Sequence, residues 1–351
     1  MKVGVFISSG LGNAILLVPL LKELRKECSV LTGIFTSPYN CEGLFIDSGL
    51  FDTILTIKDK KAKWLKLCLK YTNHFDKVYL DNFASTRKIF LISHIISKKI
   101  IAQKMPLNLP GPVIKKTEII NPVKCLHSAV QNLRLLNPEF TNTGLKESDF
   151  YFQYKSNMEP PPALKRCTFI AVQIGSSNSI KSYKNWPVEN WRALLELILK
   201  KYPGLYCVLL GEPVEMQLAS NLTKPSRKNI ISLVGKTSVH DLPGIIGNCR
   251  MFLGADSGLM HLAAALDKPT FTIWGPSDFN LYGYHKINPE KHKIIYQDVN
   301  CRPCNSWLAP NTTRVKKPED CPDFMCMNTL SPAAVFSNFI PFGEKFIHAD
   351  H

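Results

Sequence analysis

What the sequence lacks narrows it first. No apolar run approaches the roughly 20 residues needed to cross a bilayer. The stretch from Ala14 to Leu21 is interrupted by Pro19 and stops at Lys22. A mean hydropathy of -0.04 agrees. The opening MKVGVFISSGLGN enters a strand-like run directly. It has no basic region, long apolar core and small-residue cleavage site, so no secretory leader is expected and the chain is read as cytoplasmic. The dinucleotide fingerprint G-x-G-x-x-G is incomplete, because Ile15 stands where a third small residue would follow Gly10 and Gly12. That argues against a nicotinamide-dependent dehydrogenase. Acidic residues are scarce, 28 against 43 basic, for a net charge of +15. Such an excess favours polyanionic partners. Lysines gather at Lys58 to Lys66, Lys98 and Lys99, Lys115 and Lys116, and Lys316 and Lys317. No nucleic-acid motif and no aromatic stacking pair goes with them, so no nucleic acid partner is expected. Two readings remain: a merely solvated basic surface, or one that meets an anionic membrane and its phosphorylated lipids.

What is present fits a globular protein of two ordinary domains: 351 residues, 45% hydrophobic and 20% charged. Short β-branched runs alternate with helical periodicity. Strands are expected at Lys2 to Ile7, Val30 to Phe35, Thr53 to Ile57, Lys77 to Leu80 and Lys99 to Ala102. Helices are expected at Gly12 to Glu27, Lys61 to Tyr71 and Ser85 to Ser97. Met105 to Thr117 is rich in proline and basic residues, and Cys125 to Leu136 reads as one helix. Pro160, Pro161 and Pro162 can continue neither a helix nor a central strand and mark a linker over 158–166. The alternation then restarts. Strands are expected at Thr168 to Gln173, Leu205 to Leu210, Asn229 to Leu233, Met251 to Leu253 and Thr270 to Trp274. Helices are expected at Val188 to Lys201, Val239 to Asn248 and Gly258 to Leu266. This pattern predicts an α/β chain of two Rossmann-like domains, 1–157 and 167–340, with parallel sheets facing an interdomain cleft. Ligands of such sheets bind beyond the carboxyl ends of the strands.

Three strand-end stretches carry chemistry. Ser8-Ser9-Gly10-Leu11-Gly12-Asn13 opens the first helix, where glycines allow a tight turn and the helix start attracts anions; a plain strand-to-helix turn reads the same way. Gln173-Ile174-Gly175-Ser176-Ser177 precedes Lys184-Asn185-Trp186-Pro187. Its hydroxyls can bond phosphate oxygens and Lys184 can neutralise them. Pro187 suits a helix first turn and Trp186 suits core packing. The strongest stretch is Gly254-Ala255-Asp256-Ser257-Gly258-Leu259-Met260-His261. Asp256 and Ser257 can cap a helix whose amides, with His261 one turn inside, make a diphosphate site; a satisfied core histidine is the plainer reading of His261. Trp274-Gly275-Pro276-Ser277-Asp278 follows and could close over a donor sugar.

Together, K-x-W-P at Lys184 to Pro187, D-S-G-x-x-H-L-A-A-A from Asp256 and G-P-S-D from Gly275 resemble glycosyltransferase family 9, the lipopolysaccharide heptosyltransferases. The resemblance runs from the first helix to the segment Leu330 to Phe339. It implies the GT-B architecture, with an acceptor-binding N-terminal domain and a nucleotide-sugar donor domain following it. It also implies inversion at the anomeric carbon without a catalytic cofactor. By the same resemblance Ser176, Ser177 and Lys184 would hold donor phosphates. Asp256, Ser257, Gly258 and His261 would line the diphosphate and sugar. Glu215 would hold the ribose, unless it is only a solvated helix start. Ser9, Gly10 and Gly12 would form the acceptor-side loop. The expected reaction is heptose transfer, from ADP-heptose, to a lipopolysaccharide core or related surface glycan by an enzyme peripheral to the inner membrane. The alternatives are another nucleotide-sugar or a protein acceptor on the same scaffold, or a catalytically inactive glycan-assembly module.

One departure matters. Heptosyltransferases read G-D where this chain has Gly12-Asn13. An amide orients but does not deprotonate. Either Asn13 positions the acceptor while another carboxylate, Asp81 first, acts as base, or the acceptor differs, or activity is lost.

Of eleven cysteines, Cys28, Cys41, Cys68, Cys125, Cys167, Cys207 and Cys249 are scattered and read as small core hydrophobes. Cys301, Cys304, Cys321 and Cys326 form C-x2-C-x16-C-x4-C in a loop over 298–327. The spacing suits a structural zinc or iron; free thiols and disulfides are the other readings. Similar cysteine loops occur in iron-binding relatives of the family.

Overall fold

The computed structural model describes residues 1–351 except 58–60, 155–159, 161, 166, 176–182, 224–227, 305–319 and 349–351. Part of the expected linker, residues 158, 159, 161 and 166, lies outside the described residues, as do Lys58, Lys316 and Lys317. The chain divides into two compact units, Met1–Lys155 and Ser156–His351.

The first unit holds strands β1 (Lys2–Ile7), β2 (Val30–Phe35), β3 (Thr53–Thr56), β4 (Phe75–Leu80), β5 (Ser97–Ala102) and β6 (Thr117–Ile119). Its helices are α1 (Leu11–Leu16), α2 (Val18–Glu27), α3 (Lys61–Tyr71), α4 (Arg87–Ile96), α5 (Gly111–Lys115) and α6 (Ser128–Leu133). The sheet is parallel throughout, in the order β3-β2-β1-β4-β5-β6. The order reverses between β1 and β4, where Phe6 pairs Leu80. Five of the six residues of β1 are buried, as expected for a parallel strand covered on both faces.

The second unit repeats the winding. Its strands are β7 (Phe169–Gln173), β8 (Tyr206–Leu209), β9 (Ile230–Ser232), β10 (Phe252–Ala255), β11 (Thr270–Trp274) and β12 (His292–Tyr296). Its helices are α7 (Val188–Lys201), α8 (Met216–Ser220), α9 (Leu242–Ile246), α10 (Gly258–Ala265), α11 (Phe279–Tyr282), α12 (Met325–Asn328) and α13 (Pro332–Ile347). The parallel order β12-β11-β10-β7-β8-β9 reverses between β7 and β10. Helix α7 shows why the packing is determined locally. Trp191, Leu194, Leu195 and Ile198 recur at steps of three and four and are buried. Glu189 lies in its first turn and Lys200 and Lys201 in its last, each suiting the helix dipole.

The structure departs from the sequence expectations in four places. The helix expected over Gly12 to Glu27 is two, because Pro19 sits in the first turn of α2 and cannot carry an uninterrupted ladder through Leu17. The helix expected over Cys125 to Leu136 is only Ser128–Leu133, and Cys125 takes a left-handed backbone (φ 67°) outside it. Edge strands β6 and β12 were not foreseen, since short edge strands carry little periodicity. Helix α13 extends the unit past 340, and Cys125 is exposed rather than core.

Trp186 is 2% exposed, edge-to-face on Trp191, and donates Nε1–H to Leu330 O at 3.0 Å, which ties the segment before α7 to the residue ahead of α13. Trp186→Ala is therefore expected to lower stability by about 3–5 kcal/mol through cavity formation and the loss of one buried hydrogen bond, read by urea unfolding. A loss below about 1 kcal/mol would show that the ring is not core.

Candidate active site

Both switch points gather polar residues at the carboxyl edges of their central strands. In the second unit, β7 ends on Gln173 and β10 leads into Asp256 and Ser257. Ser257 caps α10: it has extended backbone, and its Oγ accepts from Met260 N–H at 3.4 Å. The same hydroxyl donates to Gln173 Oε1, so one side chain joins the two strand ends. The first amides of α10 thereby face the switch point.

Lys184 Nζ donates to Asp256 Oδ2 at 2.6 Å. The side chains retain 21% and 7% exposure, so this is a largely desolvated pair. Burial alone would raise the Asp256 pKa; the Lys184 charge and hydrogen bond, the Ser277 hydroxyl and His261 outweigh it and hold the carboxyl below its ordinary value. Sequence reasoning assigned Lys184 to phosphate and gave no sign of this pairing, which spans 72 positions.

His261 lies in α10, 5% exposed, with Nδ1 2.9 Å from Tyr284 Oη and its ring edge-on to that tyrosine. Burial pushes its pKa down to about 4, with Asp256 opposing and Lys184 assisting, so the imidazole is neutral. Tyr284 and Tyr282 were missed. Burial raises the Tyr282 pKa, and the charges of Asp256 and Asp278 add to it. In the turn Trp274 to Asp278, Ser277 is 1% exposed and its hydroxyl is hydrogen-bonded to Asp256.

Glu215 follows β8 in a 3-10 turn, Pro213–Glu215, and is 4% exposed, not the solvated helix start that was the plainer reading. Oε2 accepts from Glu212 N–H at 2.7 Å, while Oε1 is buried with no hydrogen-bond partner among the described residues. Burial raises its pKa to about 7; the Glu212 amide opposes this and the Glu212 charge adds to it. A Cβ at Gly175 would collide with this carboxylate, so the backbone after β7 passes directly against Glu215. Ser176 and Ser177 lie outside the described residues.

In the first unit, Ser9, Gly10, Gly12 and Asn13 follow β1, and Asp81 follows the adjacent β4. Ser9 Oγ is buried without a partner among the described residues, Gly10 backs onto the Tyr39 ring, and Asn13 is half-buried in α1. Asp81 is 4% exposed and its Oδ1 accepts from Ala84 N–H at 2.7 Å. Burial raises its pKa to about 6, against the pull of the Ala84 and Phe83 amides. This carboxyl holds the turn after β4 and is also poised to change protonation near neutrality.

The four clustered cysteines are free thiols. Burial raises Cys326 to about 11; Arg302 opposes this, and the charges of Cys304, Cys301 and Cys321 add to it. They are thus near neighbours. Among the described residues, however, no three His, Cys, Asp or Glu side chains stand together as a metal-holding group, and the Cys321 thiol donates to Asp323 Oδ1 at 3.6 Å. The ready-made four-thiolate site expected from the spacing is not formed in this arrangement.

Lys184→Met is expected to cost about 3 kcal/mol, because it leaves the Asp256 charge buried beside a hydrophobe. The double change Lys184→Met with Asp256→Leu should recover much of that loss. Urea titrations of the wild type, Lys184→Met, Asp256→Leu and the double variant test this, and a double variant as unstable as the two single losses summed would refute the coupling.

Residues 122–313 match the family model described as glycosyltransferase family 9 (heptosyltransferase). The chain is 33% identical over 98 residues to lipooligosaccharide heptosyltransferase 2 of Haemophilus influenzae, an alignment covering 27% of this chain and 28% of that protein. The chain thus spans little more than a quarter of this curated relative in the match. Its fold is similar over nearly the whole length to that of Escherichia coli ADP-heptose lipopolysaccharide heptosyltransferase II, with a TM-score of 0.70, 16% identity, and coverage of 98% and 100% of the two chains. It is also similar to the iron-containing dodecameric glycosyltransferase TibC of enterotoxigenic E. coli, with a TM-score of 0.57, 12% identity, and coverage of 100% and 80%. With more than half of its residues matched by the family model, the chain belongs to glycosyltransferase family 9, the heptosyltransferase family.

Proposed function

We propose that this chain transfers a heptose from ADP-heptose to a lipopolysaccharide core or related surface glycan, with inversion. The observation that carries the reading is the Lys184–Asp256 pair beside the Ser257-capped start of α10, at the switch point of the second sheet. A diphosphate placed there would meet helix amides and an ammonium, the charges that stabilise a departing nucleoside diphosphate. Glu215, with one buried oxygen that has no hydrogen-bond partner among the described residues, is suited to a ribose hydroxyl.

In the reaction, the acceptor oxygen forms a bond to the anomeric carbon while the bond from that carbon to the diphosphate oxygen breaks. The acceptor proton passes to a carboxylate, and ADP leaves with the electron pair. We assign the carboxylate to Asp81 and leave Asn13, an amide, to orient the acceptor. A base near pKa 6 is ionised at neutral pH yet still basic enough to take a proton in the transition state.

The first unit carries the surface suited to a phosphorylated, membrane-borne acceptor. Helix α3 leaves Leu65 and Leu69 exposed at 61% and 74%, flanked by Lys63, Lys66 and Lys70. From Ala84 to Thr117 there is no acidic residue. Lysines with projecting leucines favour an anionic interface. Among the described residues no helix is long and apolar enough to cross a membrane. Binding at the inner membrane is part of the proposal.

A structural zinc or iron at Cys301, Cys304, Cys321 and Cys326 belongs to the proposal as well. Thiols this close repel when ionised, and a soft cation relieves that repulsion. TibC is described as iron-containing. Elemental analysis of the purified chain is expected to find one zinc or iron per chain, lost in Cys304→Ser; a metal-free protein would remove the ion.

Asp81→Asn tests the base. A carboxyl whose folded pKa lies above its ordinary 3.8 favours the fold at low pH and loses that contribution as pH rises through about 6. The variant should therefore melt at or above the wild-type temperature at pH 8, with the advantage vanishing toward pH 4. Transfer from ADP-heptose to truncated lipopolysaccharide should fall about 10²–10⁴-fold. Undiminished transfer would move the base elsewhere. Turnover of UDP-sugars but not ADP-heptose would remove the donor assignment.

A further inference from the structure

The turn Gly275-Pro276-Ser277 has all three of its carbonyls taken by the first cysteine segment. Arg302 Nε donates to Gly275 O at 2.5 Å, the Cys304 amide to Pro276 O at 3.1 Å, and a second Arg302 nitrogen to Ser277 O at 3.4 Å. The guanidinium itself lies against a pair of touching rings, 4.7 Å from the Tyr296 centroid and 5.1 Å from that of Phe279, which are 4.9 Å from each other. The second cysteine segment presses from another side: a Cβ on Gly275 would lie 2.6 Å from Met327 Sδ, one residue after Cys326. The object of this grip is Ser277, whose hydroxyl donates to Asp256, the partner of Lys184.

We propose that Arg302 is a positioning residue of the donor site: by holding the carbonyls of Gly275 and Ser277 it keeps the Ser277 hydroxyl on Asp256, and so orients the carboxylate that faces the nucleotide-sugar. The proposal rests on the reading of this site as the donor site. The residue type fits the task. A planar fork reaches two carbonyls two positions apart and packs on aromatic rings, whereas an ammonium is a point donor. Arginine also keeps its charge when buried, and the two ring faces partly replace lost water. Among the described residues no carboxylate lies within ion-pair distance of Arg302, so its hydrogen bonds go to the turn. The cysteine-rich loop is thereby coupled to the donor site through backbone contacts, whether or not it carries an ion.

Arg302→Lys keeps the charge and removes the fork. Two readouts are taken on the full chain: hydrogen exchange of the peptide Trp274–Tyr282, and calorimetric affinity for ADP-heptose and ADP. Exchange in that peptide should rise while the rest of the second unit is unchanged, and ADP-heptose should bind about tenfold more weakly, the loss of one charged hydrogen bond. Ser277→Ala should weaken binding in the wild type and add nothing in the Arg302→Lys background, because both act on Asp256 through one contact. Should Arg302→Lys fail to fold, Tyr296→Leu, a change at a ring 43% exposed, removes one of the guanidinium's two ring contacts and carries the same two readouts. Unchanged exchange, unchanged ADP-heptose affinity in a wild type that binds it, or additive losses for Arg302 and Ser277 would each overturn the proposal. A wild type that binds neither nucleotide would overturn the donor reading and the proposal with it.

Discussion

A desolvated positive and negative charge, Lys184 against Asp256, organises the second unit's site. Burial alone would push the Asp256 carboxyl toward its neutral form, and the ammonium beside it offsets that cost. The pair accordingly recruits its surroundings. Ser277 donates to the carboxylate, and His261 is kept neutral in the same enclosure. Ser257, next to Asp256, closes α10 and reaches Gln173 across the strand ends. What looks like a collection of binding residues is one electrostatic unit built where the strand order reverses.

The elements that determine the fold are the long, repetitive ones, and these are visible in the amino-acid order. Helix α7 spans the expected Val188–Lys201, and β1 and β11 span the expected Lys2–Ile7 and Thr270–Trp274. Their signals are local, a period of 3.6 or a buried β-branched run. The expectation failed where the information is not local. Strands β6 and β12 exist because a neighbour offers hydrogen bonds, as Ile100 pairs Thr117 and Thr270 pairs His292.

The candidate site divides the same way. The capping role of Ser257 is readable, since an N-cap is a matter of three adjacent residues. Asp81 could be picked out as a carboxylate at a strand end, but its raised pKa comes from enclosure that no spacing reveals. Lys184 with Asp256, Tyr284 with His261, and Arg302 with the Gly275 turn join distant positions. Nothing in composition or spacing marks such pairs. For the cysteines, spacing showed that they gather but not how their thiols are directed, and Cys321 turns to Asp323.

The two sheets share one winding, with reversal at β1/β4 and at β7/β10, although no repeat is visible in the residues themselves. Each half buries its own apolar cluster, around Phe6, Phe75 and Phe90 in one and Trp191, Phe271 and Phe339 in the other. Selection can therefore remodel the loops above one sheet without disturbing the foundations of its neighbour. A lineage built on this plan is free to reshape one half while the packed interior of the other stays as it was.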